Sequence, residues 1–336
     1  MREPAFWWRS PSWMSRLLAP LGSLYGAISG NRMLRKGHRA AVPVICVGNY
    51  SLGGAGKTPT VIALIKLLRS AGETPVVLSR GYGGRLAGPV RVDAEAHTAA
   101  DVGDEPLLLA RSAPVIVSRD RVAGAEAAHK AGASIIVMDD GFQNPSLQKD
   151  VSLIVIDSHR GVGNGGVFPS GPLRAPLAAQ LDRTDVLIVS GDGAAAGKLA
   201  EDVEARGGLN LRAHIVPDGD AVASLRGKRM LAFAGIGDPQ RFFATLTASG
   251  LDVAETRAFD DHHPFTVAEI DRLIEDAHKT SLTLVTTEKD FVRLRGIATD
   301  IASVQPFPVT LAFDDEAVLR HFMALRLVKA REQIPR

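Results

Sequence analysis

The run Gly53-Gly54-Ala55-Gly56-Lys57-Thr58 carries the most specific chemistry in this chain of 336 residues. Glycines free successive backbone N–H groups to turn toward one anion, and the neighbouring lysine is long enough to reach the β- and γ-phosphates of a nucleotide. The threonine hydroxyl is a ligand for magnesium, and a helix starting here adds the partial positive charge of its N-terminus. Ser51, Leu52, Gly53, Gly54, Ala55, Gly56, Lys57 and Thr58 are therefore the expected cradle for the phosphates of ATP. The run departs from G-x-x-x-x-G-K-[ST] at its first position, where Ser51 replaces glycine, while Gly48, Gly53 and Gly54 keep the loop supple. An ordinary glycine-rich turn would not explain the strand before it or the helical apolar spacing of Ile62, Leu64, Ile65 and Leu68 after it.

Nucleotide phosphates are screened by a metal, and the metal needs a carboxylate at the C-terminal end of a neighbouring parallel strand. The apolar run Ser134 to Met138 leads straight into Asp139-Asp140-Gly141-Phe142-Gln143, so one of Asp139 and Asp140 can face the metal while the other faces away. With Thr58 they form the expected magnesium set; a pair of capping turn residues is the structural alternative. Asp104, in Gly103-Asp104-Glu105-Pro106 ahead of Leu107-Leu108-Leu109-Ala110, reads as a helix N-cap with Glu105 and Pro106 in the first turn. Arg119 and Arg121 follow a strand and are either phosphate contacts or ordinary surface cations. Ser79-Arg80-Gly81-Tyr82-Gly83-Gly84 suggests close backbone approach to a ligand, or a mobile loop. The stretch Gly161 to Gly171, leading into Pro172-Leu173-Arg174, suggests a lid or substrate loop.

These groups need a scaffold. From Pro43 onward, short β-branched runs alternate with helical patterns: Val44 to Val47, Val76 to Leu78, Val115 to Val117, Ile135 to Met138, Leu153 to Ile156 and Val186 to Val189. Runs apolar on both faces belong in a parallel sheet covered by helices, so the fold expected is a P-loop NTPase-like, doubly wound α/β core over residues 38–210. A Gly-, Ala- and Asp-rich stretch between about Gly191 and Gly227 marks the junction to a smaller α/β domain, residues 211–336, closing over the site. Its expected strands are Met230 to Ala234, Leu282 to Thr286 and Val309 to Phe313. Val267, Ile270, Leu273, Ile274 and Ala277 give one of its helices an apolar face.

Residues 1–37 differ in character. Trp7, Trp8 and Trp13 adjoin an apolar stretch from Leu17 to Ile28, with Arg9, Arg16, Arg32, Arg35 and Lys36 around it. That stretch is short of the roughly 20 residues that span a bilayer, and it lacks the order of charge, apolar core and cleavage site of a signal peptide. Aromatic rings with cationic neighbours suit an anionic headgroup layer, so a peripheral membrane contact is expected, the alternative being a helix packed on the core. A formal net charge of +2 does not argue for nucleic acid, and no obligate protein partner is implied. The one cysteine, Cys46, sits in a strand and fits a reducing compartment.

In this order the segments resemble the tetraacyldisaccharide 4′-kinase family, the lipid A 4′-kinases of Gram-negative bacteria. The resemblance rests on Val47-Gly48-Asn49 with the glycine-rich loop, Ser79 to Gly83, Gly103 to Pro106, Asp139 to Gln143, Gly163-Asn164-Gly165, Gly171 to Arg174, Phe259 with Asp261-His262-His263, and Thr287-Glu288-Lys289-Asp290. It implies transfer of the γ-phosphoryl of ATP, with magnesium, to the 4′-hydroxyl of an acylated glucosamine disaccharide 1-phosphate at the cytoplasmic face of the inner membrane. It also makes Asp104 the group that acts on the acceptor hydroxyl, partnered by His262 or His263, with Lys57 serving transfer. An alcohol is a poor nucleophile, and a carboxylate in reach accepts its proton while a histidine orients that carboxylate. Asn49, Arg80, Tyr82, Glu105, Arg119, Arg121, Gln143 and Arg174 become substrate contacts on the same basis. Two positions depart from many members: Ala175 stands where glutamate follows the arginine, and Asn144 where histidine follows the glutamine.

The competing reading is a nucleotide switch or metal-delivery NTPase without a lipid substrate. Guanine selection by [NT]-K-x-D needs one residue between lysine and aspartate, whereas Lys289 and Asp290 are adjacent. A metal-delivery role would also call for a histidine- or cysteine-rich tract, which the sequence lacks.

Overall fold

The computed structural model describes residues 3–54, 56–295, 297 and 300–334. Among the described residues, thirteen strands form two sheets. β1 (Val44–Gly48), β2 (Pro75–Ser79), β3 (Val90–Arg91), β4 (Val115–Val117), β5 (Ile135–Asp139), β6 (Val151–Asp157), β7 (Val186–Ser190), β8 (Leu209–Pro217) and β13 (Val309–Phe313) make the large one. Their spatial order is β13-β8-β7-β6-β1-β5-β2-β4-β3, parallel throughout except for the antiparallel edges β13 and β3. β9 (Arg229–Ala234), β10 (Asp252–Ala258), β11 (Thr283–Thr287) and β12 (Val304–Phe307) form a second sheet, order β10-β9-β11-β12, all parallel.

Strand alternation explains the layering. Ile45 and Val47 of β1 face one apolar cluster with Leu64 and Ile65, while Val44 and Cys46 face the other with Met33, Met138 and Phe142. Each fully buried aliphatic side chain of this kind contributes about 1.5–3 kcal/mol. Burial pushes the Cys46 thiol up to about 11, so it is a packing residue with little thiolate character.

The expected boundary at 210/211 is corrected by the sheet. β8 runs through residue 217 as a large-sheet strand, and β13, expected in the small domain, pairs antiparallel with β8. Leu311 and Phe313 of β13, with Leu319, Met323 and Leu327 of the C-terminal helix Glu316–Glu332, complete the first core. The small domain is thus an insertion between β8 and β13, pinched at its base where Asp218 N donates to Pro308 O at 3.0 Å.

Residues 1–37 are corrected in detail. Helix α1 (Trp13–Met33) turns Gly22 toward Val167 and Ser170, and Gly26 and Gly30 toward Pro176, so small residues pack inward. Its apolar side chains face outward: Trp13 is 72% exposed and Leu17 69%, and Leu21, Leu24 and Ile28 continue the exposed stripe. Trp7 and Trp8 do not join it. Trp7 is buried, donates Nε1 to Pro169 O and meets the Phe168 ring edge-on, while Trp8 donates to Glu3 and lies under the Arg160 guanidinium. Among the described residues, no helix is long and apolar enough to cross a membrane.

Candidate active site

The glycine-rich loop leaves the C-terminal end of β1 and opens helix α2 (Lys57–Ser70), whose buried Val61, Leu64, Ile65 and Leu68 fix it on the sheet. Gly56 is the N-cap with φ +83°, a left-handed backbone that offers no side chain to the first-turn amides and leaves them free for an anion. Gly48 lets Phe142 approach so closely that a Cβ would meet it at 2.6 Å. The loop is braced from outside. Leu52 N donates to Pro172 O, Arg174 Nε donates to Ser51 O, and Asn49 Nδ2 donates to Gly53 O. Ala55 lies outside the described residues; Thr58 is in the first turn of α2.

Asp139 ends β5 beside the loop, buried, with the Ser79 hydroxyl donating to it at 3.2 Å. Burial, then the negative charges of Glu105 and Asp140, push its carboxyl well above the usual range, against the pull of Lys57 and Arg121. Asp140 follows at φ +48° and turns the other way. It accepts both guanidinium ends of Arg174, at 2.7 and 3.2 Å, and lies 3.7 Å from Lys57 Nζ. Burial opposes its ionisation, but Lys57 and Arg174 outweigh this and lower it to about 2.

Asp104 is corrected from N-cap to first helical residue: Gly103, at φ +91°, is the N-cap of the helix Asp104–Ala110. Its buried carboxylate is met by side chains from the small domain. Arg293 donates to Oδ2 through Nε at 2.8 Å and Nη2 at 2.5 Å, His262 Nδ1 lies 3.2 Å from the same oxygen, and Lys289 Nζ lies 3.8 Å away. Oδ1 accepts from Glu105 N at 2.9 Å. Burial would raise this carboxyl; the His262 hydrogen bond and the charges of Lys289 and Arg293 prevail and hold it far below the usual carboxylate range. Lys289 also pairs with Glu105 at 3.1 Å, and Arg293 is anchored to Asp290 and Gly235 O.

The two histidines separate. His262, at φ +56°, reaches Asp104 and packs edge-on against exposed Tyr82. His263 is corrected from catalytic candidate to packing residue: it lies 3.1 Å from Glu269 and is wedged between the Phe259 and Phe265 rings. Gly237 and Asp261 close toward the loop, since a Cβ on Gly237 would come 3.7 Å from Gly54 N and 3.5 Å from Asp261 Oδ2.

Among the expected substrate contacts, three are spent on the loop itself: Asn49, Arg174, and Gln143, which donates to Asn49 O and Gln180 Oε1. Arg121 is buried with Nε and Nη1 unpaired and lies in the field of Asp139, which fits a counter-charge better than an open phosphate hook. Arg119 donates to the Gly84 and Arg85 carbonyls, and Arg80 is exposed just beyond β2. The departures are structural. Ala175 is fully buried and its carbonyl accepts from Gln180, while Asn144 Oδ1 accepts from Ser146 N and Oγ. Thr287 caps the helix Glu288–Leu294 rather than opening a base-reading loop. Arg293 is the residue sequence reasoning missed, although its i+4 spacing from Lys289 already put the two on one helical face.

A phosphate cradle at the C-terminal edge of a parallel sheet, with acidic groups at the adjoining strand end, defines the P-loop nucleotide-binding class. The tetraacyldisaccharide-1-P 4′-kinase profile matches residues 14–327. The chain is 62% identical over 332 residues to a tetraacyldisaccharide 4′-kinase of Rhodopseudomonas palustris (strain HaA2), covering 98% of each. It is 63% identical over 334 residues to the enzyme of that name from Nitrobacter winogradskyi, covering 98% of this chain and 99% of that one. The crystal structure of the "apo" form of LpxK from Aquifex aeolicus in complex with ATP superposes with a TM-score of 0.72 at 25% identity, covering 94% of this chain and 99% of that one. The chain belongs to the tetraacyldisaccharide 4′-kinase family, the kinases of lipid A synthesis.

Proposed function

We propose that this kinase transfers the γ-phosphoryl of ATP to the 4′-hydroxyl of a tetraacyldisaccharide 1-phosphate, with Asp104 accepting the hydroxyl proton. The observation that carries the reading is the Asp104–His262 contact at 3.2 Å between the first turn of the Asp104–Ala110 helix in one domain and the facing loop of the other. Oδ1 of Asp104 bonds one backbone amide and keeps a lone pair for the incoming hydroxyl, while His262 and Arg293 fix the carboxylate through Oδ2. Lys57 and the amides of the loop hold the phosphates of ATP.

The residues suit magnesium. Asp139 is a buried carboxylate whose one hydrogen-bond donor is the neutral Ser79 hydroxyl, and the charges of its acidic neighbours add to its need for a cation. Among the described residues no group of three or more His, Cys, Asp or Glu could hold a metal unaided, in keeping with an ion that relies on phosphate oxygens, Thr58 and one or two carboxylates. When bound, it screens the phosphate charge.

The outward apolar stripe of α1 supports peripheral seating at the cytoplasmic face of the inner membrane, where a lipid acceptor resides. Incubation with labelled ATP, magnesium and a panel of acylated disaccharides and non-lipid alcohols tests the substrate. Label is expected in the acylated disaccharide 1-phosphate; label appearing only in a non-lipid alcohol overturns the reading. Asp104→Asn should lower kcat by about 10²–10⁴-fold with ATP affinity retained, and loss of ATP affinity at unchanged turnover would refute the proton-acceptor role.

A further inference from the structure

A cavity of about 590 Å³ runs along the outside of the sheet from Phe142 and Asn144, behind the phosphate loop, to the far ends of the strands. It is built against the starts of β6, β7 and β8, at Ser152, Asp185 and Gly208, and one wall is the end of α1 at Met33, Arg35 and Lys36. The seven residues of β6, roughly 20 Å, separate its basic end at Ser152 from the strand ends that carry the phosphoryl-transfer site.

Its charge is one-sided. Arg35, Lys36, Lys149, Arg183, Arg206 and Arg326 line it, against two acids, Asp182 and Asp185. Both acids are taken: Asp182 pairs with Arg206 at 3.3 Å, and Asp185 pairs with Arg326 and accepts from Ser152 N at 2.9 Å. Arg183 donates through Nε and Nη1 to the carbonyls of Met33 and Ala179, and Lys149 makes one bond to that of Asn144, which leaves each with donors to spare. Four of the six cations, Arg35, Lys36, Lys149 and Arg183, therefore have no carboxylate partner among the described residues. Lys149 is held below its ordinary proton affinity by burial, with Arg183 adding to the effect, and an anion in the cavity would relieve it. The wall formed by Met33, Arg35 and Lys36 is the end of the helix whose other face carries the exposed apolar stripe through Ile28 and Leu24.

The geometry points to a second site, for the headgroup phosphate of an anionic glycerophospholipid, with the acyl chains lying along the exposed face of α1. This rests on the peripheral membrane reading above. The four unpaired cations supply the complement to a phosphodiester, and the stripe supplies the apolar continuation that a free anion would not use. Occupancy would pin the far end of α1 to the bilayer and so orient the phosphate-loop end.

The full chain should bind dihexanoyl phosphatidylglycerol, below its micelle-forming concentration, at one saturable site by titration calorimetry, and dihexanoyl phosphatidylcholine at none. The Arg35→Gln/Lys36→Gln variant replaces exposed side chains, and it should bind phosphatidylglycerol about thirtyfold more weakly, at the roughly 1 kcal/mol that each basic residue contributes at an anionic surface. Its turnover in detergent micelles should be unchanged. Lys149→Gln, from the cavity wall, should also weaken binding. Unchanged affinity in both variants overturns the site, and inorganic phosphate binding as tightly as phosphatidylglycerol overturns the lipid assignment in favour of a free anion. Leu21→Glu with Leu24→Glu tests the membrane reading separately: flotation with phosphatidylcholine vesicles should be lost, and its persistence sinks that reading whatever the cavity binds.

Discussion

The phosphate loop and the Asp104 cluster sit within one cleft but are made differently. The loop is built from contiguous residues between Gly48 and Thr58, its donors are backbone amides, and its braces come from the same large domain. The cluster joins Asp104 to His262 and Arg293 across 158 and 189 residues of sequence, entirely through side chains of the inserted domain. An anion site made of amides persists whether or not the small domain is docked. A carboxylate held by three side chains of another domain is in position only when that domain is closed. Nucleotide binding and phosphoryl acceptance are thus separable by substitution.

The sharpest test of that contrast is Lys57→Ala, which should cost about 10³-fold in kcat, the scale of removing a donor to developing phosphate charge, while leaving Asp104 and its partners untouched. More than a tenth of wild-type turnover would erase the distinction between the regions. Next comes Arg293→Gln, expected to lower kcat about 10²-fold and to destabilise the fold by about 3–5 kcal/mol through loss of its ion pairs to the buried Asp104 and Asp290. Because the folded pKa of Asp104 lies below its ordinary 3.8, the stability from its ion pairs is fully present above that value and is lost as pH falls through the folded one. Without Arg293 the folded value rises, so acid unfolding in urea should begin at higher pH and the acid limb of the rate profile should move the same way. An unshifted acid limb would reduce Arg293 to a domain tether. The smallest effect is reserved for the histidine pair. His263→Ala should keep turnover within about threefold while costing about 1–2 kcal/mol of stability from lost aromatic packing, and His262→Ala should do the reverse. Equal kinetic losses would mean that the two side chains are not functionally separated.

The sequence made the contiguous parts legible. The β1 run, the loop and the opening of α2 follow from local residue types, and the parallel core follows from runs apolar on both faces. What escaped was whatever depends on side chains meeting across the cleft. Arg293 carries no motif of its own, and choosing His262 over His263 needed the backbone turn at φ +56° and the Phe259–Phe265 wedge. For α1 the sequence left a membrane-facing and a core-packed helix both open, because Gly22, Gly26 and Gly30 mark the packed side without raising hydropathy. The junction was misplaced because a strand that crosses into a new domain and one that returns from it look alike until their partners are known.

The return of the chain through β13 bears on the order of synthesis. Residues 218–308 leave the ribosome as a complete small domain with its own sheet and two apolar clusters. The nucleotide-binding domain begins earlier but finishes later, because Leu311, Phe313, Leu319, Met323 and Leu327 of its core follow the small domain in the chain. Until they emerge, the edge of β8 is unpaired and the α2 face of the sheet is only partly covered. Loss of the chain beyond Val309, by a premature stop or by a protease, would therefore injure the domain that precedes the insertion rather than the small domain itself.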